Sequence, residues 1–184
     1  GASPAPGGGS VAALCGALSA GLASMVANLT FGKKDYIHSN RTMEEVAVKA
    51  QQLKAQFLEL IDRDTDAFNA FMEAMRLPKK TPEEQQTRTL ALTEAAKHAA
   101  LVPLETLQCA HEVMALTGIV AQKGNVNARS DAAVSALTAE AAAEGAYLNI
   151  MANLPGINDE TFTQKIKGDA DALLALVKRD RKRI

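Results

Sequence analysis

Apolar residues recur along the chain at helical spacing, in long runs separated by short breaks. Val11, Leu14, Leu18, Leu22, Met25 and Leu29 form one stripe of a first segment that holds no charged residue from 11 to 31. Ala17, Gly21, Ser24 and Asn28 form a second ridge, and small ridges let helix backbones approach closely. The loop 4–9 before it leads to Ser10, a suitable N-cap. A second helix is predicted from Thr42, with Glu45 completing a capping box, to the residue before Pro78. Its stripe runs through Val46, Ala50, Leu53, Phe57, Leu60, Ile61, Phe68, Phe71 and Met75 and is interrupted by a carboxylate, Asp64.

Thr81, Pro82 and Glu84 open a third helix that reaches Gln122 or Lys123, kinked or split at Pro103. Asn127 or Ser130 opens a fourth, which carries Val134, Leu137, Ala141, Leu148 and Ala152 and ends near Asn153. Asn158 caps a last helix that closes in the solvated basic run 178–183. Connections are short and no internal repeat is visible. Residues 1–184 therefore read as one domain, an all-α antiparallel bundle of about five long helices.

Composition agrees. Alanine occurs 35 times, valine and isoleucine together 17 times, and aromatics make up 4%. Alanine is the best helix former, whereas sheets want branched and aromatic residues. Twenty basic and 21 acidic side chains, a net charge of -1, leave no electrostatic case for nucleic acid or an anionic membrane. The uncharged first segment is long enough to span a bilayer. Its Ala, Gly and Ser content and scattered polar groups instead suit a soluble helix buried in an oligomer. No basic region precedes it, as one would in a secretory signal. Cys15 and Cys109 read as small core residues of a reducing, cytoplasmic compartment.

Asp64 is the sharpest candidate for chemistry. On a helical wheel it falls on the same face as Phe57 and Phe68, whereas Asp62 and Asp66 point away. A carboxylate on an apolar stripe is costly to bury alone, so it finds a cation, receives hydrogen bonds or lines a cavity. A structural ion pair with a neighbouring helix is the alternative. Asp131 is similar, though a helix N-terminus accounts for it through the dipole. Gly7, Gly8 and Gly9 lead directly into a helix, where exposed amides attract anions or a planar polar ligand; a flexible leader is the alternative. The loop lacks the Gly-Lys-Ser/Thr of a P-loop and the preceding strand of a dinucleotide site.

Asn149 and Asn153 share a helix face, and Asn28 ends the small-residue ridge; either core hydrogen bonding or ligand binding explains them. Lys33 and Lys34 could meet a carboxylate or simply be solvated. His38, His98 and His111 are isolated, with no Glu-x-x-His pair and no zinc spacing. The chemistry left open is metal-free carboxylate acid–base catalysis.

The segments Pro4-Ala5-Pro6-Gly7-Gly8-Gly9-Ser10, Met25-Val26-Ala27-Asn28-Leu29-Thr30 and Gly32-Lys33-Lys34 resemble the cyclodeaminase/cyclohydrolase family of folate one-carbon enzymes. The resemblance continues through Asp64-x-x-Ala67-Phe68, Leu77-Pro78-Lys79-Lys80-Thr81-Pro82-Glu83-Glu84 and Val102-Pro103-Leu104. It ends with Gly124-Asn125, Ser130-Asp131, Asn149 and Asn153, so it covers nearly the whole chain in order. Members usually carry a further helix before the glycine loop, where three residues precede Pro4 here.

The resemblance implies a helical homodimer acting on a tetrahydrofolate derivative, with no cofactor beyond that substrate. Cyclodeaminases close 5-formiminotetrahydrofolate to 5,10-methenyltetrahydrofolate and release ammonia. Cyclohydrolases open the methenyl ring to 10-formyltetrahydrofolate. Arg129-Ser130-Asp131 and Gly145-Ala146-Tyr147-x-Asn149 look more like the cyclodeaminase branch. A non-catalytic folate-binding or interaction module on the same fold is the reading of another class. On this resemblance Asp64 transfers protons and Asp131 orients or assists. Gly7, Gly8, Gly9 and Ser10 shape the pocket. Asn28, Asn125 and Asn149 hydrogen-bond the pterin or reacting centre, with Arg129 and Ser130 beside them, and Lys33 or Lys34 meets the glutamate carboxylate.

Overall fold

A computed structural model of the chain describes residues 5–184. Among them are five α-helices and no strand: α1 (Gly8–Thr30), α2 (Asn40–Arg76), α3 (Pro82–Lys123), α4 (Arg129–Asn153) and α5 (Glu160–Arg181). Helices α1 to α4 run up, down, up, down, with α4 closing back on α1. Helix α5 lies outside, against α3 and α4.

Phe57, fully buried on α2, fills the centre of the bundle. It fits because α1 has glycine opposite: a Cβ on Gly16 would run into the Phe57 ring. Ser19 on α1, Thr117 on α3 and Ser135 on α4 form a buried hydroxyl cluster, with Thr117 2.8 Å and Ser19 3.1 Å from the Ser135 hydroxyl. Buried hydroxyls need such partners, and here they tie three helices together.

The large apolar stripe of α1 faces outward rather than inward. Val11, Leu14, Leu18, Met25 and Leu29 are exposed, while Ala12, Ala13, Ala17, Ala20, Ala23 and Ala27 are buried. Helix α1 touches α2, α3 and α4, and only small side chains allow backbones to come that close. The same inversion holds on α4, where Val134, Leu137 and Leu148 are exposed and an alanine face is buried. By length and composition α1 is apolar enough to cross a membrane, yet 61% of its most apolar window is buried inside the bundle.

Other expectations are adjusted locally. Helix α2 begins at Asn40, so Thr42 lies within it and makes no capping box. Thr81 and Glu84 do form one at the start of α3. Helix α3 runs unbroken through Pro103, so it is not split there. Asp159 rather than Asn158 caps α5, accepting from the Phe162 N–H at 3.0 Å. The basic run is partly engaged: Lys178 and Arg181 reach Glu144 and Glu140 of α4. Gly32 has φ 75°, a left-handed turn that ends α1 and suits glycine.

Candidate active site

The first turn of α1 meets the middle of α2 and the last turns of α4. Ser10 is not the cap of α1; it lies inside the first turn, after the N-cap Gly7. Its hydroxyl donates to Asp64 Oδ2 at 2.8 Å. The other carboxylate oxygen lies against Gly9, where a Cβ would collide with the Asp64 side chain. Glycine at this position therefore lets a carboxylate sit at the positive end of the α1 dipole, where an anion is favoured. Gly8 is close to Asn149 in the same way, with its would-be Cβ 3.3 Å from Nδ2.

Asp64 opens onto a cavity of about 410 Å³, bounded by α1, α2, α3 and the end of α4. That volume suits a small organic ligand. Phe68 and Phe71 form an aromatic wall, Ala96 and Ala99 line the cavity from α3, and Asn149 and Asn153 reach it from α4.

The two amides are oriented by the backbone. Asn149 Nδ2 donates to the Gly145 carbonyl and Asn153 Nδ2 to the Ala99 carbonyl, each at 2.7 Å. Ala99 stands four residues before Pro103, which has no N–H to give. The carbonyl that proline leaves free is the one Asn153 takes. Each amide NH2 has a second N–H, so Asn149 and Asn153 keep both an oxygen and one N–H for a ligand in the cavity that Asp64 also lines.

The remaining candidates lie at the opposite end of the bundle. The 23 residues of α1 span roughly 33 Å. Beyond its far end Lys33 and Lys34 are exposed, as are Asn28 on the last turns of α1 and Arg129 and Ser130 at the start of α4. Asn28 bonds back to the Ser24 carbonyl at 2.8 Å. Asn125 is buried and structural: its Nδ2 donates to the Leu29 carbonyl and its Oδ1 accepts from the Asn127 N–H. Asp131 is half-buried in the first turn of α4, about 27 Å along that helix from Asn149. One chain therefore brings Gly7, Gly8, Gly9, Ser10, Asp64 and Asn149 together, but not Asn28, Lys33, Lys34, Asn125, Arg129, Ser130 or Asp131 with them.

Phe71 shares the stripe of Asp64, but nothing in the sequence marks Ala96 and Ala99 as cavity walls or singles out Asn153 as a substrate residue. No spacing rule connects Asn153 to a carbonyl 54 positions away. Of the stretch 145–149 only Asn149 lines the cavity. Gly145 packs on Ala12, and the Tyr147 hydroxyl donates to Asp171 at 2.8 Å. Burial pushes the Cys109 thiol up to about 11, which keeps it protonated and unreactive near neutral pH. Among the described residues no group of three or more His, Cys, Asp or Glu is placed to hold a metal ion.

A carboxylate and two amides in an aromatic-walled cavity define a small-molecule site equipped for acid–base chemistry. Residues 1–172 match the formiminotransferase-cyclodeaminase family, and the chain belongs to it. It is 42% identical over 172 residues to the methenyltetrahydrofolate cyclohydrolase of Methylorubrum extorquens, covering 94% of this chain and 83% of that protein. It is 40% identical to the formimidoyltransferase-cyclodeaminase of Rattus norvegicus, covering 94% of this chain but only 32% of that longer protein. The crystal structure of formiminotetrahydrofolate cyclodeaminase from Thermotoga maritima superposes with a TM-score of 0.90 at 28% identity, covering 100% of this chain and 87% of that one. The chain is thus an enzyme of the folate cyclodeaminase and cyclohydrolase group.

Proposed function

We propose that the chain closes 5-formiminotetrahydrofolate to 5,10-methenyltetrahydrofolate and releases ammonia, with Asp64 as the proton-transfer group. The observation that carries this reading is the Asp64 carboxylate, held by the Ser10 hydroxyl at a cavity that Asn149 and Asn153 also line. Asp64, Asn149 and Asn153 offer oxygens to a ligand rich in N–H donors. A protonated formimino group is such a ligand, and so is the aminopyrimidinone edge of a pterin.

N10 attacks the amidine carbon, forming the second C–N bond. Asp64 takes the proton that N10 loses and delivers it to the departing amine. Ammonia leaves with the broken C–N bond, and the positive charge stays on the methenyl bridge. A carboxylate beside that bridge stabilises the cation as well as moving the proton. Phe68 and Phe71 give the flat ring system an apolar wall.

The second reading is methenyltetrahydrofolate cyclohydrolase, favoured by the 42% identity to the Methylorubrum enzyme along most of its length. Incubation with each substrate decides between them. A rise in methenyl absorbance from 5-formiminotetrahydrofolate, with ammonia released, supports the cyclodeaminase. Accelerated loss of 5,10-methenyltetrahydrofolate, with no action on the formimino compound, replaces it by the cyclohydrolase. Binding without turnover of either would leave a folate-binding module. The exposed apolar faces of α1 and α4 support a homodimer as the working form.

A further inference from the structure

The Ser10 hydroxyl is buried with its residue, 3% exposed, and stands between two oxygens of α2. Asp64 Oδ2 is 2.8 Å away and the Ile61 carbonyl 3.4 Å. A hydroxyl has one proton to donate, so it serves one acceptor at a time. The carboxylate is nearer and charged, which makes it the stronger acceptor. The Ile61 carbonyl already receives the Thr65 hydroxyl, at 3.4 Å. The Ser10 proton therefore lies on Oδ2.

This makes the two oxygens of Asp64 unequal. Oδ1 is the atom that a Cβ on Gly9 would strike first, and Gly9 lines the cavity together with Asp64. A proton arriving on Oδ2 would face the Ser10 O–H, and Ser10 would have to turn to the longer Ile61 contact. A proton arriving on Oδ1 leaves the 2.8 Å bond in place. One arrangement thus serves the ionised and the protonated carboxyl alike.

The proposed reaction needs that constancy. N10 supplies the electron pair of the new C–N bond, and the C=N pair of the protonated formimino group moves to its own nitrogen. The N10 proton goes to Asp64. The same proton then passes to the amine, which leaves as ammonia with the electrons of the broken bond, and Asp64 is ionised again. Both nitrogens are attached to one carbon, so a carboxyl that turned between the two steps would carry the proton away from its second partner.

We infer that Ser10 is a positioning residue that fixes Oδ2 and so makes Oδ1 the oxygen through which Asp64 takes and returns the proton. Ser10 does not itself line the cavity, so it acts through Asp64. The inference rests on the folate reading above, and the cyclohydrolase reaction would use the same oxygen.

Two experiments test it. S10A removes the hydroxyl, and S10C replaces it by a thiol, a weak donor of similar shape. In each, kcat is expected to fall about 10- to 100-fold, the worth of a hydrogen bond to a charged group, with KM within about twofold of the wild-type value. In a D64N background S10A is expected to lower the rate no further, because residues that act as one unit are not additive. A serine that only held α1 against α2 would add its loss to that of D64N. Additive losses, or a kcat of S10A within about twofold of the wild type, overturn the positioning role.

The second arm needs no turnover. With isotope-labelled aspartate, the Asp64 carboxylate is assigned in infrared difference spectra as the bands that D64N removes. A hydrogen bond to one oxygen alters the splitting of the two C–O stretches, so S10A is expected to shift them. An unchanged splitting overturns the inference. A shifted splitting in a protein that turns over neither folate supports the hydrogen bond and counts against the folate reading instead.

Discussion

Pro103 of α3 and Asn153 of α4 are joined through the carbonyl of Ala99. The proline cannot bond it, and the Asn153 amide does so at 2.7 Å. This contact holds Asn153 at the cavity with its oxygen and its second N–H unspent. Restoring an N–H with Pro103→Ala gives the helix its own donor and sets Asn153 loose. The variant is expected to be no less stable than the wild type in thermal melts. Its KM for the folate should rise about 2- to 10-fold, the worth of one hydrogen bond, with kcat little changed. Equal KM values would show that the contact does not position Asn153 for substrate.

Gly9 and Asp64 are a second such pair. Gly9→Ala pushes a methyl group into the carboxylate, which has open cavity on its other side and can swing away. The expected result is a folded protein with a small change in Tm and kcat reduced about 100-fold, as follows from misplacing a catalytic group by an ångström. Steady-state kinetics alongside circular dichroism check both halves.

Phe57 carries the largest single share of the core. Phe57→Ala leaves an empty space that the neighbouring Gly16 cannot fill. Urea titration should show a loss of about 3–5 kcal/mol, at the upper end for core truncations.

Acid sensitivity follows from α5. Lys97, 2.8 Å from Asp159 Oδ2, and the Phe162 N–H hold the Asp159 carboxyl below the usual carboxylate range. The unfolded chain therefore takes up this proton first as pH falls. The stabilisation is present above the ordinary carboxylate pKa and is lost as pH drops through the lowered folded-state value. Asp159→Asn keeps a competent cap but removes the titration. Its Tm should fall less steeply than that of the wild type from neutrality to about pH 2.

The helices were legible because period, caps and breakers agreed, as with Thr81 and Glu84 before α3 and Pro78 after α2. Asp64 stood out because a charge on the Phe57–Phe68 stripe needs a reason. The facing of α1 was not legible, because Val11, Leu14 and Leu18 outweigh alanines on any hydrophobicity count. Alanine nonetheless wins the interior where helix backbones pack closely. The split of the candidate residues was invisible as well. Linear motifs place Lys33 after Gly9 in order but say nothing of the helix length between them. The link from Pro103 to Asn153 depends on two helices meeting, which no local pattern reports.

Asp64→Asn gives the most direct measurement of the proposed chemistry. Asparagine keeps the size and can still accept from Ser10, but it cannot carry a proton between N10 and the leaving amine. The rate of methenyl formation from 5-formiminotetrahydrofolate should fall about 10²- to 10⁴-fold, with the Tm near the wild-type value and the folate still bound. A folded Asp64→Asn enzyme that turns over at the wild-type rate would contradict the assignment.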